Sequence, residues 1–488
     1  MKKLAIMVFG ALVLAGCAGK PPAPPALERY APAAQLLFLD RVTWGANATA
    51  AREMAELGAG RWLERQLAPP PGDDLPPKAA AQVAAMTITQ RPVLMLAADL
   101  VERRRSVLAL ADDAQKKMEQ QAFQQELTRL GREAASRSVL RALYSPWQLR
   151  EHMTWFWMNH FNVFMFKAGL RATVGDYEES AIRPHALGNF RTLLGAAARH
   201  PAMLRYLDNA QNAAGRLNEN FARELMELHT LGADGGYRQQ DVQELARVLT
   251  GFGIVTRETA RRGPTPSGEY LREGLFEFNP KRHDYGPKVL LGKPIRARGV
   301  AELDEALDLL ARHPSTARFV SRKLAVFFVS DEPPAALVER VAATWTTTDG
   351  NIPAVLRTLF SSEEFRQSLG SKFKDPIHYV FSALRLAGTG EQVADTSRIL
   401  GGLGRLGQPL YARPTPDGYP LTRMAWASAG QLAVRFEVAR AIAYAGDWRI
   451  DPSLEKRLGP ATVKALASAA TPQERNLLYI SSPEFMHR

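Results

Sequence analysis

Asn218-Glu219-Asn220-Phe221-Ala222-Arg223-Glu224-Leu225-Met226-Glu227-Leu228-His229-Thr230-Leu231-Gly232 is the stretch whose spacing decides the fold. At 100° per residue, Phe221, Leu225 and Leu228 form one apolar stripe. Asn220, Glu224 and Glu227 fall in a polar stripe beside it, and His229 lies on its opposite border. The segment 218–231 therefore reads as a half-buried helix. The same spacing of apolar residues at three and four recurs almost throughout, in a background rich in Ala, Leu, Arg and Glu. Helix starts are explicit. Ser145-Pro146-Trp147-Gln148 offers a cap at Ser145 with proline at the first helical position, and Asp241-Val242-Gln243-Glu244 reads as a capping box. One segment departs from the pattern: Phe276-Glu277-Phe278, a polar loop through Gly286, and Val289-Leu290-Leu291 read as a hairpin. The expected architecture is mainly α, one large multi-helix domain over residues 35–488 with a short β-hairpin near residues 276–292. Phe360-Ser361-Ser362-Glu363-Glu364-Phe365 is echoed by Ile480-Ser481-Ser482-Pro483-Glu484-Phe485, which reads as reused helix-start chemistry rather than a repeat.

An amide and two carboxylates on one half-buried helix edge can bind a hard cation, orient a sugar hydroxyl or supply acid and base groups. The other reading of Asn220, Glu224 and Glu227 is a solvated flank, with Arg223 and Glu227 as an ion pair worth about 0.2–0.5 kcal/mol. Glu224 and His229 are five apart and point away from each other, so no metal site is assigned. A second polar group is His283-Asp284-Tyr285-Gly286-Pro287-Lys288, where a histidine, an acid and a lysine on one turn either converge on a ligand or form a solvated turn.

The segment holding His152, Trp155, Phe156, Trp157, Asn159, His160 and Asn162 has aromatics on several faces, so it reads as a helix buried on most sides. His152 and His160 stand two turns apart, about 12 Å by the helix rise, and cannot share one ion unaided. Asn159 and His160, polar among aromatics, need partners and read as pocket-lining. Pro414-Thr415-Pro416-Asp417-Gly418-Tyr419-Pro420 is a rigid, turn-dense loop that reads as a cover over the core. The chain contains no phosphate-binding glycine loop, Gly-x-Ser-x-Gly elbow or His-Glu-x-x-His pair, and its residues name no cofactor.

The 488 residues contain one cysteine, Cys17, preceded by Lys2, Lys3, an apolar run over 4–13 and Leu14-Ala15-Gly16. That layout is a secretory signal over 1–16, too short to span a bilayer. Leu-Ala-Gly-Cys resembles the lipobox of exported bacterial lipoproteins, which implies cleavage before Cys17 and lipidation of its thiol. Ala18, rather than Asp, after the cysteine points to the outer membrane of the cell envelope. Pro and Ala dominate residues 17–34, a semi-extended tether, and a second break falls at 68–78. A single cysteine leaves the mature chain without an internal disulfide. Stability then rests on core burial, for which 46% hydrophobic residues are ample. The net charge of +12 is spread along the chain in short runs such as Arg103-Arg104-Arg105, read as solvated helix faces, and nothing resembles a nucleic-acid module.

Several blocks occur in one order: Arg41-Val42-Thr43-Trp44-Gly45, Trp155-Phe156-Trp157-Met158-Asn159-His160-Phe161, Asn218 through Leu225, Leu228-His229-Thr230-Leu231-Gly232 and Asp234-Gly235-Gly236-Tyr237. His283-Asp284, Gly286, Lys288, Leu291-Gly292, Lys372-Phe373-Lys374-Asp375-Pro376 and Asp417-Gly418-Tyr419-Pro420 follow. Together they resemble the exported bacterial family known as domain of unknown function 1800. The chain departs from the family pattern at Arg413-Pro414-Thr415-Pro416, where the family carries Pro-Pro-Asn. The resemblance implies a helical fold and export. It also implies a partner, a second exported protein with an alkaline-phosphatase-like fold, but no established activity. The residues themselves leave two functions open. One is a hydrolase or lyase acting on an envelope glycan or other polar polymer, with Glu224, Glu227, His283 and Asp284 catalytic and Asn159, His160, Asn220, His229 and Lys288 binding substrate. The alternative is a non-catalytic scaffold lipoprotein that holds the partner.

Overall fold

The computed structural model describes residues 31–256, 270–388 and 395–488. The signal segment, Cys17 and the tether up to residue 30 lie outside the described residues. The tether ends earlier than expected: helix Pro32–Val42 starts at Pro32, whose fixed φ suits the first helical position. The protein is mainly α, with two small antiparallel sheets of three and two strands among the described residues.

Short polar caps start many of the helices, each satisfying an amide that the helix cannot. Asn47, Asp112, Asn351, Ser362 and Asp375 each accept from the amide three residues on. The echo between the two Ser-Ser segments is this chemistry, since Ser362 Oγ accepts from Phe365 N and Ser482 Oγ from Phe485 N, both at 3.2 Å. Two sequence-stated starts shift. Helix Gln148–His160 begins three residues beyond Ser145, because Gln148 donates backward to the Ala142 and Ser145 carbonyls that end the preceding helix, Asp113–Tyr144. Helix Gln239–Val248 begins before Asp241, whose carboxylate instead reaches back to the Arg238 amide at 2.8 Å, serving as the third residue of the box rather than its cap.

The expected hairpin over 276–292 does not form. Phe276–Phe278 lies between Phe252–Ile254 and Leu271–Glu273 in one sheet, while Val289–Leu290 pairs with Lys293–Pro294 in the other. Two-residue turns decide this: Gly274-Leu275 and Leu291-Gly292 each close a tight hairpin, as glycine at such turns favours. The polar loop from 279 to 288 is left to fold back on the helices.

One apolar cluster runs from Leu36 to Phe485. At its centre is Gln148–His160, all thirteen residues of which are buried, in accord with its aromatics on every face. Trp157 donates its indole N–H to the Ala186 carbonyl at 3.0 Å, so its polar edge is satisfied inside the core. Beside this rod lies a buried ionic group. Asp40 Oδ2 stands 3.0 Å from both Lys374 Nζ and Arg457 Nη1, and all three side chains are buried. Burial alone raises the Asp40 carboxyl, but Lys374 and then Arg457 override it and hold it at about 2. Among the described residues no helix is long and apolar enough to cross a membrane.

Candidate functional site

Helix Asn220–Glu227 buries Phe221, Ala222, Leu225 and Met226, and leaves Glu224 and Glu227 half-buried on its flank. It stops four residues short of the expected end. Thr230 Oγ1 donates to the Leu225 carbonyl and Leu231 N to that of Met226, closing the last turn. Asn220, at the start of the same helix, is exposed. The expected Arg223–Glu227 pair is absent. Arg223 binds Glu219 at 3.1 Å and Gln239 at 2.9 Å, so Glu227 is left to accept from the Tyr237 hydroxyl at 3.3 Å. Glu224 is raised from its ordinary value, first by burial and then by the charge of Glu227, against an opposing pull from Arg223 that exceeds the further upward push of Asp417.

Asp417 arrives on the loop 413–420, which the core grips at five points. Asn162 Nδ2 donates to the carbonyls of Arg413 and Thr415 at 3.0 and 2.8 Å, and the Tyr206 hydroxyl to that of Pro414 at 2.7 Å. Asn159 and Tyr419 exchange a reciprocal pair, Nδ2 to the Tyr419 carbonyl at 3.0 Å and the Tyr419 amide to Oδ1 at 2.6 Å. Asn159 was expected to bind substrate; both ends of its amide instead hold this loop. Asp417 itself accepts from Thr415 Oγ1 and from Arg413 at 3.2 Å. Gly418 lets the backbones approach this closely. It adopts φ +77°, and a Cβ there would overlap the Asn159 carbonyl oxygen. Gly418→Ala is expected to cost about 1–3 kcal/mol by overpacking, and to open the loop to proteolysis. An unchanged melting curve and cleavage pattern would count against the clamp.

Behind the carboxylates stand His160, His229 and Lys323. His160 Nε2 meets the His229 carbonyl at 3.1 Å, fixing the end of helix Gln148–His160 to the turn after Glu227. Burial holds both rings neutral, His229 at about 3, and the charge of Lys323 adds to the effect. Buried Nδ1 of His160 and Nε2 of His229 have no partner among the described residues. Under the loop a cavity of about 30 Å³, room for about one water, is lined by Ser138, Asn159, Asn162, Glu178, Tyr411 and Tyr419. It is too small for substrate.

The second sequence-stated group goes elsewhere. His283 Nε2 and Lys288 Nζ lie 3.3 and 2.7 Å from the two carboxylate oxygens of Glu302, with all three side chains buried. Asp284 binds Arg247 at 2.8 Å, and that contact holds its carboxyl at about 2. Among the described residues no hydrogen bond or ion pair joins these residues to Glu224 or Glu227. The folded-back loop ties His283 and Lys288 to Glu302 on helix Ala301–Ala311 and Asp284 to Arg247 on helix Gln239–Val248, so the three do not join the carboxylates of helix Asn220–Glu227.

Residues 37–487 match the family described as Protein of unknown function (DUF1800). The chain belongs to that family. No curated protein and no solved structure matches it. Two of the DUF1800 blocks, around Glu224 and Asp417, thus come within electrostatic reach of each other, with Tyr206 within reach of both and Lys323 within reach of Asp417. Asp417 and Lys323 are the residues that the helix reading missed. Asp417 carried a signal, being in a block of the family pattern, but its loop read as a cover. Lys323 carried none, since a lysine on a helix reads as solvated. Among the described residues no three His, Cys, Asp or Glu side chains are grouped to hold a metal ion. The arrangement offers a carboxyl displaced toward its protonated form beside two further carboxyls, which is acid and base equipment.

Proposed function

We propose that the protein is an exported lipoprotein of the outer envelope, anchored at Cys17, whose carboxyl cluster cleaves an envelope glycan or other polar polymer as a hydrolase or lyase. The observation that carries this reading is Glu224. Burial and two neighbouring carboxyls favour its protonated form, the state a general acid needs to protonate a leaving oxygen. Glu227, one helical turn on and steadied by Tyr237, and Asp417, fixed by its loop, supply carboxylates to serve as base or nucleophile. Asn220 at the exposed rim and the tyrosines Tyr206 and Tyr237 are placed to orient a hydroxyl-rich chain. His160 and His229 act behind them, as positioning residues.

The test is incubation of the protein with purified cell-wall sacculi and with lipopolysaccharide. Hydrolysis gives new reducing ends and elimination gives unsaturated products. Glu224→Gln and Asp417→Asn are expected to abolish release, with Glu224→Gln melting no lower than the parent, because it removes a charge held beside like charges. Absence of products from the parent would sink the enzymatic reading. The anchor is checked separately: Cys17→Ser should lose labelling by a clickable fatty acid and leave the membrane fraction.

One observation favours the scaffold alternative. Helix Ala429–Ala443 has apolar residues on both faces, and Leu432 and Phe436 on its outer side, with Met424 and Tyr444 beside it, are exposed. A cavity of about 660 Å³, lined by Val438, Ile442 and Trp448 among others, opens next to it. A partner such as the second exported protein would cover this face. Co-purification from membranes that is lost in Phe436→Glu supports that reading.

A further inference from the structure

Helices Pro376–Ala387, Thr396–Arg405 and Ala429–Ala443 converge on the cavity of about 660 Å³, and the chemistry of the carboxyl cluster makes no use of it. Protein interiors hold few voids larger than a water molecule, whereas pockets for small organic ligands run from about 300 to 1,000 Å³. Val380, Leu384, Ile399, Val438 and Ile442 make the wall mainly aliphatic, with Tyr144 and Trp448 as its aromatic lining. The polar edge of Trp448 is spent on the fold. Its Nε1 donates to the Ile442 carbonyl at 3.1 Å, and Asn476 Nδ2 donates to the Trp448 carbonyl at 2.8 Å. Gly402 keeps part of the space open. It is buried within a helix, where glycine is disfavoured, and a Cβ there would meet nothing nearer than Val438, at 3.9 Å. A larger residue would suit the helix better, at the expense of the cavity. Charges stand only at the mouth, where Asp395, Arg398, Arg405 and Asp447 are all exposed. Arg398 already lies 3.2 Å from Asp395, and Arg405 3.8 Å from Glu437.

We propose that this cavity binds the hydrocarbon chain of a single-chain amphiphile, a fatty acid or a lysophospholipid, whose head group stays at the mouth. An aliphatic wall favours a chain in proportion to the apolar surface it removes from water. A sugar or nucleotide would instead strand its hydroxyls against Val438 and Ile442. With two arginines and two aspartates among its lining, the mouth sets little demand on the charge of the head, so the chain is what the site reads. The site shares no residue with the carboxyl cluster and stands apart from the glycan-cleaving reading.

The experiment uses the full chain carrying Cys17→Ser, so that no chain attached to the protein itself competes. It is titrated calorimetrically with dodecanoate, decanoate and octanoate, and separately with dodecylphosphocholine, all below micelle formation. One-to-one binding is expected, with Kd rising about fourfold for each methylene removed, the ratio set by burying one methylene. Of the two twelve-carbon probes, the tighter identifies the head that accompanies the chain. Gly402→Phe fills the cavity and is expected to weaken dodecanoate binding at least about tenfold while melting no lower than the parent. Ala441→Trp, at an exposed position of the lining, should weaken binding likewise and serves should Gly402→Phe fail to fold. The proposal is overturned if the parent binds none of these probes, if chain length makes no difference, or if a folded cavity-filling variant binds as the parent does. None of these readouts involves release of glycan, so a failure here and a failure of the Glu224 assay are read apart.

Discussion

Replacing Asp40 by asparagine is expected to cost about 3–5 kcal/mol, the usual penalty for stranding a buried charge. Its carboxylate lies within 3.0 Å of Lys374 and Arg457, and none of the three side chains is more than 2% exposed. Asparagine keeps the shape and can still accept from the Ala46 amide, which Asp40 Oδ1 meets at 3.2 Å. What it loses is the charge, so two cations remain in a site from which water is excluded. Burial already pushes the Lys374 ammonium down to about 7, with Asp40 as the main force holding its proton on. Without Asp40 the lysine gives up its proton, which softens the penalty, while Arg457 cannot. The measurement is the urea midpoint of Asp40→Asn, of Lys374→Met and of the double variant. Coupling predicts that the double variant loses less than the two singles added together. Strict additivity, or an Asp40→Asn midpoint within experimental scatter of the parent, would show that the group is solvated after all.

The helical class was legible because 100° spacing is a local property: Phe221, Leu225 and Leu228 declare a buried face without reference to anything else. The flank formed by Glu224 and Glu227 was legible for the same reason. What completes the cluster was not, since Asp417 comes within electrostatic reach of Glu224 only because Asn159, Asn162 and Tyr206 hold its loop, and those contacts cross the whole fold. Asn159 was correctly read as needing partners, but a buried amide is satisfied as well by a loop backbone as by a ligand. His283, Asp284 and Lys288 looked like a converging triad because the buried acid that takes two of them, Glu302, sits on a later helix whose sequence gives no hint that it faces inward. The hairpin failed on pairing. Phe252-Gly253-Ile254 and Leu271-Arg272-Glu273 are too short for an alternation to show, yet they outcompete the distant strand that the sequence offers Phe276–Phe278.

Acid is expected to unfold this protein well above the pH at which its carboxylates titrate. Four histidines, His152, His160, His229 and His378, are buried and held neutral, each with its protonation displaced below the ordinary 6.5. For His378 burial is the largest cause, followed by the charge of Arg488; Asp375, which its Nδ1 meets at 2.8 Å, pulls the other way, and the result is about 4. Its Nε2 lies 2.6 Å from Nε2 of His152, a contact that needs a donor on one ring and an acceptor on the other. Two imidazolium rings cannot share it. The sign follows from proton counting: between pH 6.5 and 4 the unfolded chain binds protons that the folded one refuses, so stability falls as pH falls. At about 1.4 kcal/mol per unit, His378 alone accounts for roughly 3 kcal/mol over that window. Glu178 and Glu224, raised in the fold mainly by burial, work in the opposite direction, but they are two against four. Urea midpoints measured at pH 7, 6, 5 and 4 should therefore drop steadily, and His378→Gln, which cannot charge, should flatten the slope even though it starts from a less stable fold. Midpoints that hold level from pH 7 down to pH 5 would mean that these rings take up protons in the folded state, and that the His152–His378 contact is broken or rearranged without cost.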